Sequence, residues 1–134
     1  MVTEFFMPMK VPTTTHQQKQ VRVLKGKPVF YEPDDLQAAR SKLMAYLGQH
    51  VPEKPFSGPV RMITKWCFPI KGKHYNGEWK TTKPDVTNLM KLFEDVMTDL
   101  GYWKDDALIV SEITEKFWAE LPGIYVRIDS LESE

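Results

Sequence analysis

The chain has 134 residues and a hydrophobic content of 42%, which suits a single domain over residues 1–134 with a real core. No apolar run approaches the roughly 20 residues needed to cross a bilayer. The first six residues lack the basic start and long apolar stretch of a signal peptide, and one cysteine, Cys67, excludes an internal disulfide framework; both point to the cytoplasm. Net charge is zero, yet residues 1–83 hold 14 Lys and Arg against 6 Asp and Glu, and residues 84–134 hold 4 against 12. Halves of +8 and −8 suggest a basic binding surface beside an acidic site, unless the two sets interleave and cancel in the fold.

Residues 2–7 form a short apolar start expected as a strand, closed by Pro8 and Pro12. Residues 12–20 are polar and read as a loop. Residues 21–24 and 28–31 flank Lys25-Gly26-Lys27, a hairpin pattern. Pro33, Asp34 and Asp35 open a helix in which Leu36, Ala39, Leu43 and Leu47 recur at helical spacing until Gly48. Residues 51–59 carry three prolines and read as a linker. In residues 60–68, Val60, Met62, Thr64 and Trp66 alternate as a strand, and Cys67 is expected buried and inert between Trp66 and Phe68.

Residues 69–84 are rich in glycine and lysine and read as an unpacked basic loop carrying Lys71, Lys73, Lys80 and Lys83 with Tyr75 and Trp79. Residues 88–100 give the clearest helix: Leu89, Met90, Phe93, Val96, Met97 and Leu100 share one face, Asn88, Lys91 and Asp95 the other, and Gly101 stops it. Strands are expected over 107–117 and 124–128. This order predicts an α+β fold with two helices and a mixed, mainly antiparallel sheet.

The chemistry centres on two acidic stretches. Asp85 stands where extended chain enters a helix, a place that attracts phosphate and offers hard oxygen for Mg²⁺. With the helix beginning near Asn88, Asp85 and Thr87 would share a side of extended chain, and Lys91 would lie one turn further in. Asp105 and Asp106 lie between that helix and the next strand. Were Asp85 and Asp106 to meet, their repulsion would need a cation or a raised pKa. The plainer alternatives stay open: Asp85 or Thr87 as a helix cap, Asp105 and Asp106 as turn residues, Lys91 as a solvated helix position.

The stretch from Pro84 to Lys116 resembles the RusA family of Holliday-junction resolvases, small endonucleases common in phages and prophages. The resemblance rests on the acid–Asn–Lys stretch opening a hydrophobic helix, then the Gly-aromatic turn and the paired Asp105-Asp106 before a strand. It implies a homodimer that cuts four-way DNA junctions by symmetric nicks with Mg²⁺, or Mn²⁺ in its place. It assigns catalysis to Asp85, Lys91 and Asp106 and the metal to Asp85 and Asp106. Thr87, Asn88 and Asp105 are further candidates for binding or orienting the metal. Thr87 stands where the family has a second Asp, with Glu112 as a candidate substitute.

Lys71, Lys73, Lys80, Lys83 and Lys116 are the expected DNA contacts, joined by a second basic hairpin with Lys19, Arg22, Lys25 and Lys27. Two other readings compete: a branched-DNA binding protein with reduced or no cleavage, and a scaffold whose acidic half contacts protein.

Overall fold

In a computed structural model the described residues are 1–13, 20–24, 27–31 and 34–132, the side chains of 20–31 excepted. Most of the expected 12–20 loop, Lys25 and Gly26 of the expected hairpin turn, Glu32, Pro33 and the last two residues lie outside them, as do the side chains of the second basic hairpin.

The elements follow in the order β1 (Val2–Pro8), β2 (Gln20–Leu24), β3 (Lys27–Tyr31), α1 (Asp34–Leu47), β4 (Val60–Pro69), α2 (Val86–Leu100), a 3₁₀ turn (Asp106–Leu108), β5 (Ile109–Ala119) and β6 (Gly123–Ser130). β2 and β3 form a separate antiparallel hairpin, as their sequence predicts. The main sheet has the order β1-β6-β4-β5. β1–β6 and β6–β4 are antiparallel, whereas β4 and β5 run parallel. A parallel neighbour needs a crossover, and α2 supplies it. The α+β expectation, with a mixed and mainly antiparallel sheet and two helices, is therefore met.

The alternation read in β4 and β6 is visible in the fold. Val60, Met62, Thr64, Trp66 and Phe68 from β4 and Ile124, Val126 and Ile128 from β6 are buried under the two helices. α1 contributes Leu36, Ala39, Leu43 and Leu47; α2 contributes Leu89, Met90, Leu92, Phe93, Val96 and Met97. Thr64 is polar inside this layer, and it is satisfied: its Oγ1 accepts from Trp66 Nε1 at 3.0 Å.

Four local expectations change. Cys67 faces the other side of β4 and is half-buried, because the period of two that buries Trp66 turns its neighbour outward. Burial nonetheless raises its thiol pKa, which disfavours thiolate. The 51–59 stretch is not a bare linker: Phe56 is buried, and its N–H donates to the Tyr102 carbonyl at 2.8 Å. The helix expected from Asn88 begins two residues earlier, at Val86. The basic loop is packed. Its 77–80 segment runs along the outer edge of β5, with Gly77 N donating to Trp118 O (2.8 Å), Trp118 N to Glu78 O (2.9 Å) and Lys80 N to Lys116 O (3.1 Å). Pairing there covers the C-terminal end of an edge, at Lys116 to Trp118.

Candidate active site

Asp85 is the N-cap of α2. Its Oδ1 accepts the Thr87 N–H at 2.9 Å, satisfying one of the orphan donors of the first turn. Thr87 thus stands inside the helix rather than beside Asp85 on extended chain. Asn88 is half-buried in the same turn, and Lys91 is exposed one turn on.

Helical spacing brings Thr87, Lys91 and Glu94 onto one stripe. That stripe faces Glu112 and Thr114 of β5 across an open groove of about 290 Å³. The Glu94 and Glu112 carboxyls face one another across it, close enough that Glu112 perturbs the ionisation of Glu94. Half-buried beside Glu112, and near Asp106 and Asp95, the Glu94 carboxyl is pushed up to about 9; burial is the largest cause.

The other end of α2 is fixed by Gly101, whose φ of 88° is the left-handed conformation that glycine adopts without penalty. The next two residues are anchors. Tyr102 is fully buried and its hydroxyl donates to the Leu47 carbonyl at 2.6 Å, while Trp103 Nε1 donates to Thr98 Oγ1 at 2.9 Å. These contacts aim Asp105 and Asp106. Asp105 caps the 3₁₀ turn through Ala107 N at 2.8 Å. Asp106 faces a second open groove of about 280 Å³ with Asp95, Thr98, Asp99 and Lys104. Its pKa is raised by burial first, then by the charges of Asp105 and Asp95.

The structure therefore gathers Asp106, Asp95, Glu94 and Glu112 along the α2–β5 seam, with Thr87 and Lys91 in the same groove as Glu94. It does not bring Asp85 among the charges that shift Asp106. Ten helical positions, about 15 Å of axis, separate Asp85 from Asp95. The sequence does not single out Glu94, although its spacing from Thr87 and Lys91 is a signal, and it places Asp95 only on the face opposite the apolar one.

The five lysines expected on DNA divide. Lys71, Lys73 and Lys83 are exposed. With Lys10, Lys71 and Lys83 rim a cleft of about 130 Å³ lined by Phe68 and Trp118. Lys80 is only 8% exposed, and Lys116 is half-buried with its ammonium on two backbone carbonyls. Tyr75 and Trp79 are exposed at 69% and 60%, and the Trp79 ring stacks on Phe117.

The family model for endodeoxyribonuclease RusA matches residues 10–129. The chain belongs to the RusA endodeoxyribonuclease family. It is 37% identical over 109 residues to the crossover junction endodeoxyribonuclease rusA of Lactococcus phage r1t, covering 80% of this chain and 82% of the phage protein. It is also 31% identical over 117 residues to YqaN of Bacillus subtilis strain 168, an uncharacterised protein, covering 79% and 82% of the two chains. The RusA assignment agrees with the resemblance carried by residues 84–116. No helix among the described residues is long and apolar enough to cross a membrane.

Proposed function

We propose that this RusA-family nuclease resolves four-way DNA junctions by paired symmetric nicks, as a Mg²⁺-dependent homodimer acting in the cytoplasm. The observation that carries the reading is the open groove in which carboxylates crowd beside Lys91, within a chain of this family. Their donor chemistry fits Mg²⁺: hard carboxylate oxygens whose mutual repulsion adds to burial in raising the Glu94 pKa and would be relieved by a cation. Among the described residues no three Asp, Glu, His or Cys side chains form a ready-made cation cage. Mg²⁺ commonly uses one or two carboxylates and completes its shell with water and substrate phosphate.

Asp106 and Glu94, which act electrostatically on one another, would supply carboxylates to the metal; the charges around Asp106 support this pair more than a single ion shared by Asp85 and Asp106. When bound, the metal supplies a nucleophilic hydroxide and shields the leaving oxygen. Lys91, exposed in the groove, stabilises charge developing on the phosphate. Asp85 orders the first turn of α2, which presents Thr87 and Lys91, and lies where the helix N-terminus draws a phosphate. Lys71, Lys73 and Lys83 hold the backbone, and Tyr75 and Trp79 offer stacking faces for unpaired bases at the branch point.

One observation favours a second reading: Thr87 offers a neutral hydroxyl where the family has an acid, which suits a junction binder with weak cleavage. A synthetic four-way junction decides. Paired nicks with Mg²⁺, lost in chelator and in Asp85→Asn and Asp106→Asn with junction binding retained, are expected of the enzyme. Intact, retarded junction in Mg²⁺ and Mn²⁺, with nicking gained by Thr87→Asp, would establish the binder.

A further inference from the structure

We propose that Lys80 and Lys116 are positioning residues that clamp the backbone leading into Asp85, rather than DNA contacts. The inference rests on the reading of Asp85 as an active-site residue.

Lys80 is 8% exposed, although lysines are almost never buried unless paired. Its ammonium donates to Thr82 Oγ1 at 2.6 Å and to the Lys83 carbonyl at 2.5 Å. The Lys116 ammonium, from β5, donates to the Thr82 carbonyl and, at 2.9 Å, to the Pro84 carbonyl. Three consecutive carbonyls thus accept from the two cations, Thr82 from both, Lys83 from Lys80 and Pro84 from Lys116, and the next residue is Asp85. Charge-assisted bonds of this kind are the stronger class.

The arrangement has further marks of a built feature. The Lys80 ammonium sits 4.4 Å from the Trp118 ring centroid and 5.3 Å from that of Phe68, so aromatic faces share in stabilising the desolvated charge. Lys80 N also donates to Lys116 O, which ties the two residues together through the backbone. The two like charges face one another, and nearby Lys71 adds a third, yet the chain keeps both ammoniums turned onto the same three residues. Lys116 also lies within electrostatic reach of Asp85. With three bonds on the Lys80 ammonium and two on that of Lys116, both are turned onto the chain rather than set out for a phosphate. What they fix is the path by which Asp85 reaches its capping position and orders the first turn of α2.

Lys80→Met, Lys116→Met, Lys116→Arg, Thr82→Val and Asp85→Asn would be compared on a labelled four-way junction. Junction affinity is read across salt concentrations without metal, and single-turnover cleavage is read in Mg²⁺ at saturating protein. The clamp predicts that both methionine variants cut at least tenfold slower, while affinity stays within about twofold and the salt slope is unchanged. Arginine at 116 keeps a multi-donor cation and should recover most of the rate, which loss of mere bulk would not predict. Thr82→Val deletes only an acceptor on the exposed loop and should slow cutting several-fold; it carries the Lys80 arm should Lys80→Met unfold.

Unchanged rates at saturation, with weaker binding and a salt slope reduced by about one per lysine, would overturn the clamp in favour of DNA contact. Loss of cutting in Asp85→Asn with wild-type rates in the lysine variants overturns the clamp alone. Wild-type cutting in Asp85→Asn overturns the reading of Asp85 and the clamp with it.

Discussion

Glu94 is the residue whose protonation the groove perturbs most clearly. Its carboxyl, ordinarily near 4.5, is pushed up to about 9, by burial first and then by the facing Glu112 carboxyl. A raised folded-state pKa means that the stabilising form is the protonated one. That contribution is full below the unfolded value and is lost as pH rises through about 9. The thermal midpoint should therefore fall across this window, and Glu94→Gln should flatten the fall. Mg²⁺ should raise the wild-type midpoint more near pH 8 than near pH 5, because the cation and the proton compete for the same oxygens. An equal Mg²⁺ shift at both values, or an unaltered slope in Glu94→Gln, would remove Glu94 from the metal set. Asp106 moves in the same direction for the same leading cause.

At the scale of elements, both ends of α2 are set by local capping and anchoring contacts. The N-terminus depends on the Asp85 cap. The C-terminus depends on Gly101 and on Tyr102, which bonds α1's last carbonyl at Leu47 from a position 55 residues away. Tyr102→Phe removes the phenol donor while the carbonyl keeps the His50 N–H, and should cost about 0.5–1.5 kcal/mol in denaturant unfolding. Because the same turn aims Asp106, the variant should also lose cleavage rate before it loses fold. A stable Tyr102→Phe protein with full activity would show that the turn is not what places Asp106. The 77–80 segment acts similarly on β5: it covers the C-terminal end of the edge and brings Lys80 over Trp118, turning what composition marks as a loose loop into part of the site's frame.

For the whole molecule, the +8 and −8 halves neither cancel nor simply separate. They meet at Lys83-Pro84-Asp85, with exposed Lys71, Lys73 and Lys83 on one side and the α2–β5 acids on the other. Such a surface would bring a phosphate chain against the basic loop and leave one stretch of it over the groove. Double substitution of Lys71 and Lys83 by alanine should weaken junction binding. It should also lower the slope of log affinity against log salt by about two, with single-turnover cutting at saturation nearly kept. An unchanged slope would place the DNA elsewhere on the molecule.

Local pattern was enough to read much of this protein. Alternation in β4 and β6, helical spacing in α1 and α2, and glycine at position 101 each report a period or a backbone conformation, which neighbours in sequence determine. The order of acids, lysine and Gly-aromatic turn between residues 84 and 116 was likewise enough to reveal the family. Lysine's fate was not legible, because Lys71, Lys73, Lys80 and Lys83 are alike in composition. Only the docking of 77–80 against β5 buries one of them and leaves the others exposed. Nor was the company of each acid: Glu94 meets Glu112 because a parallel β4–β5 pair carries α2 across the sheet, whereas Asp85 and Asp95 are kept apart by the rise of one helix. Sequence determined which groups are present and on which stripe they lie; the long-range strand order decided which charges face one another.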